Sequence, residues 1–182
     1  MITNKIKPMH IKGRSLSLLI SEEKIKERVR GLAREIEKDL GENFVVVSLL
    51  KGSFVFTADL IREFSVPVKV DFMWVSSYGS SQESSGSVRI LQDLSMDIKD
   101  KKVLLVDDIL DTGYTLKKVV EFLREKEPSV LKVCVLLDKK ERRKVELKAD
   151  YVGFEVPDKF LVGYGLDWDE EGRNLRGIYA VD

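Results

Sequence analysis

The chain of 182 residues contains a single cysteine, Cys134, and a single histidine, His10. One thiol excludes an internal disulfide, and one cysteine with one histidine cannot furnish a structural zinc site. The same scarcity leaves no Ser-His-Asp or Cys-His arrangement to read as a nucleophilic centre. Long apolar runs are also missing. Phe44 to Leu50 is among the longest, far below the roughly 20 residues that span a bilayer. No apolar segment follows Met1–Lys5, so no secretory leader is expected there. A cytoplasmic protein without a membrane partner is the expectation. Charge of one sign is absent too: 31 basic and 31 acidic residues cancel, which argues against a nucleic-acid partner. With only 4 prolines and 12 glycines among 43% hydrophobic residues, the composition is that of a folded domain large enough for its own core.

What is present is a regular alternation. Ser15–Ile20 partly alternates and reads as a strand. Ser21 is placed to cap a helix over 21–40, with Glu22 and Glu23 in its first turn and Ile25, Val29, Leu32, Ile36 and Leu40 at helical spacing. Gly41 closes it. Phe44–Leu50 is valine-rich and apolar but for Ser48, the mark of a strand covered on both faces. A helix near 53–64 and strands at 68–76, 88–94 and 102–108 follow. Beyond them come a helix at 115–126, stopped by Pro128, and strands at 130–137, 151–155 and 178–181. Strands alternating with helices imply an α/β fold: a mostly parallel twisted sheet flanked by helices. Residues 77–87 are serine-rich, with Tyr78 their only large apolar residue, and read as a mobile loop.

The informative stretch is Val103-Leu104-Leu105-Val106-Asp107-Asp108-Ile109-Leu110-Asp111-Thr112-Gly113-Tyr114-Thr115. An apolar strand delivers two carboxylates to the carboxyl edge of the sheet, where open α/β sheets bind ligands. A turn with a third carboxylate follows, and Thr112, Gly113 and Thr115 then open a helix whose free N–H groups suit an anion. Taken singly, these residues read as strand-end solvation and a helix cap. Taken together they suit a ligand carrying both hydroxyls and a phosphate, a ribose phosphate.

This segment resembles the phosphoribosyl pyrophosphate (PRPP) motif of the type I phosphoribosyltransferases: four apolar residues, two acids, two apolar residues, Asp, Thr or Ser, Gly, any residue, Thr. Leu49-Leu50-Lys51-Gly52-Ser53 is similar to the pyrophosphate loop of the hypoxanthine-guanine branch, and Ser77-Tyr78 to the start of its lid. Lys139 in Leu136–Lys140 falls where that branch keeps a base-reading lysine, and Tyr151–Asp167 is similar to its C-terminal signature. The resemblance implies one phosphoribosyltransferase domain over 1–182, with a core at 21–150, a hood of 1–20 and 151–182, and a lid at 77–87. It implies transfer of the phosphoribosyl group from PRPP to N9 of hypoxanthine or guanine, giving IMP or GMP and pyrophosphate. Magnesium would be the cofactor and the assembly a homodimer or homotetramer.

Residue roles follow from the same resemblance. Asp107 and Asp108 would meet the ribose hydroxyls, directly or through Mg2+, with Asp167 also near the metal. Asp107 stands where many relatives have Glu, one methylene longer. Asp111 would accept the proton at purine N7. Thr112, Gly113, Tyr114 and Thr115 would cradle the 5′-phosphate, and Lys51, Gly52 and Arg173 the pyrophosphate, with Leu50–Lys51 in the cis form. Lys139 would donate to O6, since an ammonium offers donors only, although a slip of one residue would put Lys140 there. Phe160 would stack on the base and Leu161 would present backbone to its edge. Three rivals stand beside this reading: a xanthine- or guanine-preferring member of the superfamily, a regulator of this fold that binds RNA and a nucleotide, and a generic nucleotide-binding α/β domain, which leaves the C-terminal signature unexplained. The zero net charge, Lys139 with Phe160, and the retention of Asp111 speak against the regulator.

Overall fold

The computed structural model describes residues 9–78 and 87–182. Its elements in chain order are β1 (His10–Ile11), β2 (Arg14–Ile20), α1 (Glu22–Leu40), β3 (Phe44–Leu50), α2 (Phe54–Glu63), β4 (Lys69–Tyr78) and β5 (Ser87–Gln92), then β6 (Lys102–Leu110), α3 (Tyr114–Glu125), β7 (Val130–Asp138), β8 (Tyr151–Glu155), β9 (Leu161–Val162) and β10 (Ile178–Val181). Helix α1 begins as its sequence requires. The Ser21 side chain accepts from the Lys24 N–H at 3.3 Å, and Gly41, at φ 66°, returns its N–H to the Glu37 carbonyl.

Six strands form the main sheet in the order β5-β4-β3-β6-β7-β8. All neighbours are parallel except β5, which runs antiparallel to β4 at the edge. The valine-rich strands are buried on both faces, and their alternate residues serve two different layers. Val46, Leu104 and Val106 pack with Ile25, Leu32 and Ile36 of α1 and with Phe56 and Leu60 of α2. Val45, Val47, Val103 and Leu105 pack with Leu116, Val119 and Leu123 of α3. Each such fully buried side chain contributes about 1.5–3 kcal/mol; the one polar residue of β3, Ser48, is buried with its hydroxyl bonded to Ser53 and Thr57.

The chain leaves β3 for β4 on one side and returns to β6 on the other, so β3 and β6 part company at a switch point. Their pairing ends at Ser48↔Val106, whereas β6 continues against β7 through Leu110↔Asp138. A crevice therefore opens beside the last residues of β6, where ligands of such sheets bind. β6 extends two residues beyond the expected end at Asp108, because β7 keeps supplying partners there.

A second, antiparallel sheet, β1-β2-β10-β9, is built from both chain ends. Ile20, Leu161, Ile178 and Ala180 join the α1 side of the core. This sheet corrects the boundary expected for the hood. β8, expected in the hood, pairs in parallel with β7 and is the edge of the main sheet, which therefore runs on to Glu155, and the second sheet takes up the chain again at β9. Of the lid expected at 77–87, residues 79–86 lie outside the described residues, as do 1–8 of the hood. Among the described residues, no helix is long and apolar enough to cross a membrane.

Candidate active site

Two clefts of about 320 and 340 Å³ open side by side at the carboxyl edge of β6 and share Asp108, Ile109 and Asp111 as a common wall. The larger is lined by Asp107, Thr112, Gly113 and Thr115 on one flank and by Leu50 and Gly52 on the other. The smaller is lined by Lys139, Arg142, Asp158, Phe160, Leu161 and Asp167.

The larger cleft is an anion and diol site in its chemistry. Gly113 sits at φ 90° as the N-cap of α3, a left-handed conformation that glycine adopts freely. A Cβ there would meet Val145 Cγ2 at 2.7 Å and Arg143 Cδ at 3.1 Å. The turn is held from below by Arg143. Its guanidinium donates to the Asp111 carbonyl at 3.1 Å and the Leu147 carbonyl at 2.7 Å, and it pairs with the buried Asp138. The first N–H groups of α3 are thus presented to the cleft with the positive end of the helix behind them. Opposite, the Leu50–Lys51 peptide is cis, and Gly52 faces the Asp108 carboxylate so closely that a side chain could not fit between them.

Asp107 and Asp108 stand together at this edge. Burial and the neighbouring Asp108 charge push the Asp107 carboxyl well above the usual carboxylate range. Burial also raises Asp108, opposed by hydrogen bonds from Asp107 and the Ile109 N–H and by the charge of Arg173. Two crowded carboxylates of this kind gain from a cation or from donor hydroxyls. The pair therefore fits a divalent ion, but only in part. Among the described residues no three His, Cys, Asp or Glu side chains gather as a ready cage. Asp167, expected at the metal, is engaged elsewhere: its Oδ1 lies 3.1 Å from Arg173 Nη2 and its Oδ2 accepts the Glu170 N–H at 2.8 Å. A magnesium ion beside Asp107 and Asp108 would draw its remaining oxygens from substrate and water, as that ion commonly does.

In the smaller cleft, Lys139 is 5% exposed, whereas Lys140 is exposed and paired with Glu155. Of the two adjacent lysines, Lys139 lines the cleft and Lys140 does not. Burial pushes its ammonium below the ordinary lysine range, with Asp111 and Asp158 pulling the other way and Arg142 adding to the fall. Phe160 is 52% exposed and lines the cleft, so part of its ring is open to a ligand there. Trp168 steadies it edge-on, centroids 5.7 Å apart, and Lys12 lies over the indole at 5.7 Å.

Lys51, Arg173 and Tyr114 line neither cleft. The Lys51 ammonium lies over Trp74 and 3.2 Å from Glu170 Oε2; the same carboxylate is 3.5 Å from Arg173 Nη2. The two cations expected to hold pyrophosphate are therefore joined by one carboxylate of the chain itself. Arg173 also donates to the Gly165 carbonyl, while its buried Nε has no hydrogen-bond partner. Tyr114 is exposed, so only its backbone bears on the cradle. Sequence reasoning missed Ile109, Arg142, Asp158 and Glu170. Ile109 was visible as an apolar position of the motif. The other three lay in charge-rich stretches, where nothing distinguishes a cleft wall from a solvated face.

Two clefts meeting at the switch point of a parallel sheet, with an acidic pair and a helix N-terminus at their edge, suit a ligand that carries hydroxyls and a phosphate. The chain belongs to the phosphoribosyl transferase family, whose phosphoribosyl transferase domain model matches residues 19–169. Its relatives narrow the branch. It is 61% identical over 174 residues to the hypoxanthine-guanine phosphoribosyltransferase of Aquifex aeolicus, covering 94% of this chain and 98% of that one. It is 48% identical over 170 residues to the hypoxanthine phosphoribosyltransferase of Escherichia coli K12, covering 92% and 96%. The crystal structure of a Bacillus anthracis hypoxanthine-guanine phosphoribosyltransferase, with a HEPES molecule in its active site, superposes with a TM-score of 0.87 at 50% identity, over 91% of this chain and 98% of that one.

Proposed function

We propose that this chain is a purine salvage enzyme that transfers the 5-phosphoribosyl group from PRPP to N9 of hypoxanthine or guanine, releasing pyrophosphate and forming IMP or GMP. The observation that carries the reading is the shared wall of the two clefts. Asp108, Ile109 and Asp111 border both, so a ribose in one and a base in the other meet at C1′.

The α3 N-terminus and the Thr112–Thr115 turn hold the 5′-phosphate, and Asp107 and Asp108 accept from the ribose hydroxyls. Mg2+, bound beside this pair, would supply charge neutralisation for the departing pyrophosphate. Lys51, Gly52 and Arg173 receive that pyrophosphate once it displaces Glu170. The base lies on Phe160 with Leu161 backbone at its edge, Lys139 donates to O6, and Asp111 takes the N7 proton as the bond to N9 forms. An ammonium has no lone pair for the 6-amino group of adenine, so Lys139 selects 6-oxopurines. The reading also has the enzyme cytoplasmic and a homodimer or homotetramer, a size that sedimentation at assay concentration checks. The functional test is steady-state turnover of PRPP with each of the four purine bases, with and without magnesium. Hypoxanthine and guanine should be converted and adenine should not, and excess chelator should abolish turnover. Adenine turnover at a comparable rate would refute the role of Lys139, and full turnover in chelator that of the metal.

A further inference from the structure

Arg142 belongs to the single turn of 3-10 helix, Lys140–Arg142, that follows β7. Its guanidinium crosses from one wall of the base cleft to the other: Nε is 3.0 Å from Asp111 Oδ1 and Nη1 is 3.7 Å from Asp158 Oδ1. Asp111 Oδ1 is itself buried and has no partner of hydrogen-bond geometry, so this ion pair is what fixes the direction of the carboxylate. Lys139, three residues before Arg142, is another cation lining the same cleft, and Asp111 is the first of the charges attracting it.

Four carboxylates, Asp108, Asp111, Asp158 and Asp167, and three cations, Lys139, Arg142 and Lys159, line the base cleft, and the partner that Asp111 takes decides what the cleft can do. If Asp111 turned to the buried Lys139, one contact would consume both the proton acceptor and the O6 donor. We infer that Arg142 is a positioning residue: it holds one oxygen of Asp111, which leaves the other oxygen aimed at N7 and keeps the Lys139 ammonium for the base. A guanidinium suits this task because its planar fork serves two carboxylates at once. The inference rests on the reading of Asp111 as the group that takes the N7 proton.

A double-mutant cycle tests it. Arg142 is half exposed, so Arg142→Ala should fold, and a matched melting temperature shows that it does. Arg142→Ala should lower kcat/KM for hypoxanthine by about 10–100-fold, the usual cost of a misplaced reacting group, with PRPP affinity within about twofold of wild type. Arg142→Lys, which keeps the charge but not the fork, should recover part of the loss. In an Asp111→Asn background the same Arg142→Ala change should cost less than about threefold, because the group it positions is gone. An equal loss in both backgrounds would make Arg142 a mere cleft wall and overturn the inference, as would no loss in the wild-type background. Should Asp111→Asn alone leave turnover intact, the acid–base reading of Asp111 fails first, and the role of Arg142 falls with it.

Discussion

Replacing Lys139 with methionine keeps an unbranched side chain, one heavy atom shorter, and removes the ammonium with its charge and donors. The side chain is 5% exposed in the cleft wall, and methionine fills the space of its stem, vacating only the position of the ammonium. What is lost is one charge-assisted hydrogen bond to O6, worth about 1.5–3 kcal/mol. That corresponds to roughly a 10- to 150-fold rise in the base concentration needed for half-saturation. PRPP binds in the neighbouring cleft and should keep its affinity within about twofold. Initial rates against base concentration at saturating PRPP, with PRPP titrated separately by calorimetry, measure both quantities on one preparation. Lys140→Met is the control, since that side chain is exposed and pairs with Glu155. An unchanged base requirement in Lys139→Met, or an equal rise in Lys140→Met, refutes the reasoning. A pH series adds a sign. Burial depresses the Lys139 ammonium below the ordinary lysine value of 10.5, and the donor exists only while protonated. Base affinity should therefore weaken on the alkaline side before an ordinary lysine would lose its proton.

Asp111→Asn keeps the turn, since asparagine serves it equally well, but cannot take a proton; turnover should fall by about 10²–10⁴-fold with PRPP affinity retained, as paired kinetics and calorimetry will show. Gly113→Ala forces a side chain into a left-handed position and against Val145 and Arg143, so PRPP affinity should drop by about tenfold or more, at roughly 1–2 kcal/mol of strain. Asp71 is a stability test. Burial pushes its carboxyl up, but the N–H groups of Met96, Phe72 and Ser95 and the Ser95 hydroxyl outweigh this and hold it below the ordinary aspartate value of 3.8. A depressed folded-state value stabilises above the unfolded value and is lost as pH falls through the folded one. Asp71→Asn should lower stability by about 1–3 kcal/mol at neutral pH, and the gap from wild type, followed by thermal melts, should close below pH 3.8.

The elements that carry their own local physics were legible without coordinates. Ser21 and Gly41 bracket α1 because a hydroxyl and a glycine satisfy its two ends, and Phe44–Leu50 and Val103–Val106 read as doubly covered strands for want of any polar alternation. The acidic pair and the glycine turn were legible for the same reason: their spacing along the chain is their spacing in space. What depended on distant partners was not. Nothing in Tyr151–Glu155 says that β7 will take it as the last parallel strand, and Leu161–Val162 is too short to show alternation at all. Arg142 and Asp158 became cleft residues only when two separate loops met at the edge of β6, and Glu170 came to join Lys51 and Arg173 only through the fold. Arg143, adjacent to Arg142 in a charge run, proved to be the brace beneath the phosphate turn, a role set by carbonyls some thirty residues earlier in the chain.

The central claim is that the two clefts divided by Asp108, Ile109 and Asp111 hold the two halves of one nucleotide. A crystal structure with IMP measures this directly. The hypoxanthine ring should lie on Phe160 with O6 within hydrogen-bond distance of Lys139 Nζ, the ribose hydroxyls should face Asp107 and Asp108, and the 5′-phosphate should sit on the backbone N–H groups at the start of α3. A nucleotide bound with its base outside the Lys139–Phe160 cleft, or with its phosphate away from Thr112–Thr115, would contradict the account.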